Sequence, residues 1–440
     1  MTTPATEAAR LRLRAELDEV LGTAPPVRAG GDPRPVYRLL GERSLLAPHW
    51  PVGYGGRGGG PRDAALVVDA LVRAGVPDTL FMLSVQIVGT FLLTAGSDEQ
   101  RRRLLPELAS GRRLATVLYS EPDAGADHAA LRTAAVPRPG GGWSLTGRKV
   151  YSVGASVADE ALVLARTSVE AAKYQGLTLF LVPLAAPGVE IGAFPALTDE
   201  PLSDVLLDRV PVGPGAVVGP VGGAWPLVTD ALAVERTGVE YVARAAHWLD
   251  TAVLDLPADP DDALAEAVGR LGGAVMASRL LSEAVLDGLA DGRPDPVLAA
   301  GAKWYASEAA GRVARWAAEH AGLASCLGAG DPGAVRGGLW QAAYREAPGL
   351  TISAGTSEML LQTVGAALLS GDTADPDGPA GAAGAADSAG PRSSVSPGSS
   401  VGPGSSASPR SSAGPGNSAD PGSSAGVAGS GGPSGPGGEG

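Results

Sequence analysis

The spacing of apolar residues changes twice along this chain, and that double change most limits what it can fold into. Up to about residue 111 apolar side chains recur at helical intervals. TPATEAARLRLRAELDEVLG closes on Gly22, and PRDAALVVDALVRAGV has Pro61 near its start and Gly75 near its end. SDEQRRRLLPELASG opens with Ser97 as N-cap and Gln100 three residues on, a capping-box pattern. Between them TLFMLSVQIVGTFLLTAG is apolar almost throughout, which suits a buried helix or helix pair. Over about 112–221 the pattern breaks into short β-type runs such as LATVLYSEP, WSLTGRKVYSVG, EALVLARTS, LTLFLVPL, VEIGAF and DVLLDRVPV, separated by turn residues. From Ala224 the helical period returns and persists through TSEMLLQTVGAALLS. The expected fold class is therefore α+β. It comprises an N-terminal helical domain (1–111), a central antiparallel β-sandwich or barrel domain (112–221) and a C-terminal four-helix bundle (222–371). The segment 372–440 is Gly, Pro, Ala and Ser with a loose PGSSAG recurrence, too poor in large apolar side chains to offset its ordering entropy, so it is expected to be a disordered tail.

Charge and cysteine content narrow the function. A net charge of −13 without a basic cluster argues against a nucleic-acid surface. The densest basic run, Glu99–Arg113, carries acidic neighbours and reads as a solvated helix face. The single cysteine, Cys326, permits no intrachain disulfide, and the N-terminus lacks an apolar signal segment, so a cytoplasmic protein without a membrane span is expected. His49, His128, His247 and His320 have no ligand spacing, so no metal site is expected. GYGGRG (Gly53–Gly58) matches a dinucleotide fingerprint by letter, but no strand precedes it, so it reads as a surface turn.

Several segments acquire meaning as a set: APHWPVGYGG, GSDEQRRRLLPELASG, SEPDAGAD, LTGRKVYSVG, VVGPVGGAW, VERTGV, AKWYASEAA, REAPG and GTSEMLL. In this order and spacing the chain resembles the acyl-CoA dehydrogenase flavoproteins over roughly residues 39–370. The resemblance implies an FAD enzyme in which a base takes the α-proton of an acyl thioester while the β-hydrogen leaves as hydride to the flavin. It implies flavin contacts from Val117, Tyr119, Ser120, Gly125 and Ala126, from Tyr151, Ser152 and Val153 on a second strand, and from Thr356 and Glu358 in a late loop. Ala126, Arg236 and Gly355 would line the substrate site.

The chain also departs from the family pattern. Tyr151 stands where Trp is usual, while Val153 and Ala126 replace a frequent Thr and Ser, removing polar contacts. An R-x-x-F-G segment that reaches a partner's FAD pyrophosphate has its counterpart here in LDLPADPDDALAEA, which has no Arg and four Asp, a set that would repel a pyrophosphate. Ala354 occupies one of the family's two positions for the base. Glu235, immediately before Arg236, falls on the other and is the expected base, with Glu240, offset in angle on the same helix, expected to take no part. The leading expectation is α,β-dehydrogenation of an acyl thioester, on CoA or a carrier protein, with electrons passing to a flavoprotein or oxygen. One alternative is a degenerate partner subunit of a hetero-oligomer. The other is a flavin monooxygenase or carrier-bound acyl oxidase on the same fold. A homo- or hetero-oligomer is expected.

Overall fold

The computed structural model describes residues 4–28, 30–168 and 172–370. The expected tail and residue 371 lie outside them. Six α-helical segments come first: α1 (Pro4–Thr23), α2 (Arg34–Glu42), α3 (Pro61–Arg73), α4 (Thr79–Phe81), α5 (Gly89–Ala95) and α6 (Asp98–Ala109). Their ends follow the local signals. Pro61 opens α3, Gly75 takes φ +66° just past it, and Ser97 and Gln100 cap α6 reciprocally. GYGGRG contributes a short 3-10 turn at Val52–Tyr54.

The long apolar run is one helical rod whose middle, Met82–Val88, is π-helical with every residue buried. Ser84 Oγ lies 2.8 Å from both the amide and the carbonyl of Ala115, which ties the rod to the first strand. Gly89 lets the buried Trp50 indole cross the rod, because a Cβ there would sit 2.0 Å from Trp50 Cζ2.

The sheet comprises β1 (Ala115–Leu118), β2 (Ala134–Pro137), β3 (Trp143–Val153), β4 (Glu160–Arg166), β5 (Leu177–Pro183), β6 (Val189–Phe194), β7 (Leu202–Val212) and β8 (Val217–Val218). The order is β6-β7-β3-β2-β4-β5-β8, with β1 on β4. It is mixed, not wholly antiparallel: β1 runs parallel to β4, and β2 meets β4 in parallel. This corrects the expectation of an antiparallel domain. β4 and β5 are buried along nearly their whole length, which explains their unbroken apolar sequence. The β3–β7 register slips between Lys149 and Ser152, a bulge that changes where the following side chains point.

The last helical block contains α7 (Ala224–Glu235), α8 (Val239–Val253), α9 (Asp262–Ala290), α10 (Pro296–Ala321), α11 (Leu339–Leu350) and α12 (Ser357–Ser370). The first expected bundle helix is thus two. The chain breaks at Gly238, which adopts φ +79° and passes so close to α9 and α10 that a Cβ would lie 2.8 Å from Ser282 Oγ and 3.2 Å from Ala302 O. α11 is a further helix that the apolar period alone did not separate. Small residues make α10 the hub of the block: Ala299, Ala302, Ala306, Ala310 and Ala314 are all buried, so neighbouring helices approach closely. Among the described residues no helix is long and apolar enough to cross a membrane.

Candidate functional site

The break between α7 and α8 puts Glu235 and Arg236 at a helix corner, facing the turn between α11 and α12. Arg236 Nε donates to Ala354 O at 3.0 Å. The fully buried Lys303 of α10 donates through Nζ to Leu350 O at 2.8 Å and Gly355 O at 2.9 Å. Its ammonium also lies 5.0 Å from the Tyr241 ring centroid, and the Tyr241 hydroxyl is 3.1 Å from Ser353 Oγ. The turn so held is unusual in its backbone. Ala354 takes φ +53° and Gly355 φ +106°, and a Cβ on Gly355 would approach Arg236 Nη2 to 3.2 Å. Two cations therefore grip three carbonyls of one tight turn.

Electrostatics at this corner are set by burial. Burial pushes the Glu235 carboxyl up, against Arg236 and Lys303, which favour its ionised form. Burial pulls Lys303 down to about 8, with Glu240 and Glu235 resisting. Glu240 is raised to about 7, first by burial and then by Asp78. As whole residues Glu235 and Glu240 keep partial exposure, but Glu240 Oε2 is covered and has no hydrogen-bond partner, so burial governs it. Glu240, expected from the sequence to take no part, is thus part of the same charged corner.

Across from the corner stands the end of β1 and the loop after it. Val117 is half-buried in β1. Tyr119 is buried, its hydroxyl has no partner, and its phenol is pushed up first by burial and then by the charge of Glu235. Ser120 Oγ lies 3.4 Å from His128 Nε2, and the His128 ring packs edge-on to Tyr119. Burial, Lys149 and Arg236 hold His128 down to about 4, so it is neutral at ordinary pH. Buried Lys149 fixes this loop by donating to Tyr119 O, Glu121 Oε1 and Leu164 O at 2.9–3.0 Å. Gly125 and Ala126 are exposed, with nothing within 4 Å of where a Gly125 Cβ would stand.

On β3 the bulge turns Tyr151 outward. It is 51% exposed at φ +58° and edge-on to Phe194, while Ser152 is buried beside it. Val153 lines a cavity of about 20 Å³ with Leu80, Gly154, Val157 and Glu200. A second cavity, of about 30 Å³, lies between α3, the π-helical stretch and α9. At the late loop, Thr356 Oγ1 accepts from Met359 N at 3.3 Å and caps α12, and Glu358 is exposed. Glu235, Arg236, Gly355, Tyr119 and Ser120 thus converge, whereas Tyr151, Ala126 and Glu358 stand at the surface.

Beside the corner lies a buried ionic cluster. Arg244 of α8 holds Asp78 through two contacts of 3.0 and 2.8 Å and Glu346 of α11 at 2.6 Å. Glu200, in the loop between β6 and β7, is raised to about 7 by burial and by neighbouring carboxylates. In the acidic segment after α8, Asp255 pairs with Arg336 and Asp261 caps α9, so two of its carboxylates have structural partners.

Lys303, Glu240, His128 and Arg244 were not singled out as site residues from the sequence. Lys303 carried a signal: the chain has only three lysines, and Lys149 and Lys303 are both fully buried. Among the described residues no group of His, Cys, Asp and Glu could hold a metal ion.

Comparison with known proteins bears on the family and the fold. The N-terminal, middle and C-terminal acyl-CoA dehydrogenase domain models match residues 3–112, 116–210 and 225–369. The chain is 36% identical to acyl-CoA dehydrogenase FadE34 of Mycobacterium tuberculosis over 65% of its own length but only 41% of that protein. It is 30% identical to FadE26 of the same organism, over 75% of this chain and 86% of the relative. Among solved structures, the Tcur3481-Tcur3483 steroid ACAD superposes with TM-score 0.75 at 28% identity, covering 84% of this chain and 98% of that one. The ChsE4-ChsE5 complex from Mycobacterium tuberculosis superposes with TM-score 0.74 at 27% identity, covering 84% and 98%. With three consecutive domain models matched in order, and the helical, sheet and helical blocks they describe all present, the chain belongs to the acyl-CoA dehydrogenase family.

Proposed function

We propose that the chain catalyses α,β-dehydrogenation of an acyl thioester with Glu235 as the base. The observation that carries this reading is the corner itself. Glu235 is a carboxylate raised by burial, next to Arg236 and near Lys303, with Tyr119 of the β side within reach of its charge. In the step, the Cα–H bond breaks and its proton goes to a Glu235 carboxylate oxygen, while the β-hydrogen leaves with its electron pair. A base raised towards neutrality accepts that proton with more driving force than an ordinary carboxylate. Arg236 and the Ala354–Gly355 turn border the thioester, and the two cations favour the ionised form of Glu235 against its burial.

The residues fit the ring end of FAD. The Tyr119 hydroxyl is buried without a partner, Ser120 Oγ has only a long contact with His128, and the approach over Gly125 is open. FAD, when bound, supplies the acceptor for the hydride. Electrons then pass to a flavoprotein or oxygen. The resemblance to a protein titled a steroid ACAD puts steroid acyl thioesters first among substrates to test. Replacing Glu235 by Gln should slow flavin reduction by the thioester at least ~10²-fold while leaving flavin content unchanged. A Glu235→Gln protein that reduces its flavin at the wild-type rate would end this assignment.

A second reading has its own support. Leu254–Asp262 contains no cation to meet a diphosphate, and the solved relatives include the two-component ChsE4-ChsE5 complex. On that reading the chain assembles with a non-identical partner that completes the cofactor site. Flavin content of the chain purified alone and with a co-expressed neighbour separates the two: yellow alone supports a self-sufficient enzyme, and colourless until paired supports the partner subunit.

A further inference from the structure

We infer that Lys303 is a positioning residue for the reaction, holding the Ala354–Gly355 turn in place and setting a positive charge beside the base. The inference rests on Glu235 being that base and deepens that reading.

The geometry is specific. Lys303 is fully buried, yet its ammonium meets no carboxylate within salt-bridge distance among the described residues. Its hydrogen bonds go to Leu350 O and Gly355 O at 2.8 and 2.9 Å, and it stacks over Tyr241. A buried ammonium without a carboxylate partner costs several kcal/mol in desolvation, so a merely structural residue could be replaced at a gain. A helix-capping role accounts for part of the arrangement, since Leu350 ends α11 and a cation there suits the helix C-terminus. It does not account for the second bond, five residues on, to the glycine that closes the turn. Arg236 ties the carbonyl between them, so the turn is fixed from α10 and from the corner between α7 and α8.

The charges facing this position are few. Lys303 feels Glu240, Arg236, Glu235 and Glu308, and Glu235 feels Arg236 and Lys303 and acts in turn on Tyr119, Tyr241 and Glu240. Among the described residues, the cations acting on Glu235 are Arg236 and Lys303. Removing one of a carboxylate's nearby cations typically raises its pKa by about 1–3 units. Lys303 is itself pulled to about 8, so its help to Glu235 fades in alkali.

Two substitutions separate charge from hydrogen bonding. Lys303→Gln keeps donors for both carbonyls but no charge, and Lys303→Arg keeps the charge. The experiment is the pH profile of flavin reduction by an acyl thioester in the flavin-loaded protein, with the partner co-expressed if loading needs it. Lys303→Gln should move the acidic limb up by about one pH unit, slow the reaction by up to about tenfold on that limb, and converge on wild type at alkaline pH. Lys303→Arg should leave the limb near its wild-type place. A Lys303→Gln limb that does not move, with the rate falling equally at every pH, would reduce Lys303 to a helix cap. If Lys303→Gln does not fold, an acidic limb displaced in Lys303→Arg as far as about one pH unit overturns the charge role, and an unmoved limb upholds it. The parallel Glu235→Gln protein tests the underlying reading: full activity there removes the base assignment and this inference together, whereas its loss with an unmoved Lys303→Gln limb removes this inference alone.

Discussion

Replacing Glu240 by Gln should stabilise the protein at pH 8 and leave it unchanged near pH 4.5. The Glu240 carboxyl is raised from its ordinary 4.5 to about 7 because burial and Asp78 oppose its charge. The folded state therefore holds this proton more tightly than the unfolded chain does. Below pH 4.5 both states are protonated and Glu240 carries no penalty. As pH rises from 4.5 to 7 the unfolded chain ionises while the folded one resists, so ionisation costs the folded state progressively more. Above pH 7 the penalty is complete. At about 1.4 kcal/mol per pH unit this gap corresponds to about 3 kcal/mol. The residue keeps some exposure, which trims the expectation to about 2 kcal/mol.

Gln is nearly isosteric with the protonated acid and leaves the same covered position without a partner, so it removes the titration and little else. Urea unfolding of both proteins at pH 4.5, 6, 7 and 8 reads the difference directly. The stability difference should be near zero at the lowest pH and climb to about 2 kcal/mol in favour of Glu240→Gln at the highest. Glu200 lies in the same cluster and is also raised to about 7, so the variant's stability should still fall over this range, only less steeply than that of wild type. A difference that is flat with pH, or a variant weaker than wild type at pH 8, would refute the reasoning, because it would mean that Glu240 is not held neutral by its surroundings.

Two further outcomes follow from packing and charge. Arg244→Met strands Asp78 and Glu346 without their shared cation and should cost about 3–5 kcal/mol, visible as a large fall in melting temperature at pH 7 that acidification partly restores. Gly89→Ala drives a methyl into the Trp50 indole, 2.0 Å away, and should cost about 1–3 kcal/mol by urea unfolding, with a change in Trp fluorescence.

What was legible in the sequence was whatever a few neighbouring residues decide. Ser97 with Gln100, Pro61 and Gly75 mark helix ends through bonds and backbone angles confined to one turn, and the structure places the ends there. Strand direction was not legible. The residues of β1 say that it is buried, but whether it runs with or against β4 depends on the path of the chain between them. The break at Gly238 had a visible glycine, yet the helical period runs through it unchanged, and only the close approach of Ser282 and Ala302 requires it. In the site, Glu235 and Arg236 were reached through family resemblance, because Glu-Arg on a helix is by itself commonplace. Lys303 and Glu240 were missed for one reason. Their partners lie on other elements, Leu350 and Gly355 for the lysine and Asp78 for the glutamate, and no spacing within a helix encodes them.

That same long-range wiring bears on why position 354 carries alanine if Glu235 is the base. The turn is held with Ala354 at φ +53°, its carbonyl on Arg236 and the next carbonyl on Lys303. A carboxylate at 354 would share those two cations with Glu235, and Glu240 already stands close enough to Glu235 for their charges to interact. Three carboxylates against two cations, one buried and one half-buried, would not all ionise readily. One would hold a proton, and nothing would ensure that it was not the one needed to accept the substrate's. With the base on the rigid α7–α8 corner, the turn is free to be short, small and doubly gripped, and the cations serve a single carboxylate. Ala354 is then the counterpart of Glu235 in one arrangement of charge: the loop keeps its shape for the substrate, and the helix supplies the proton acceptor.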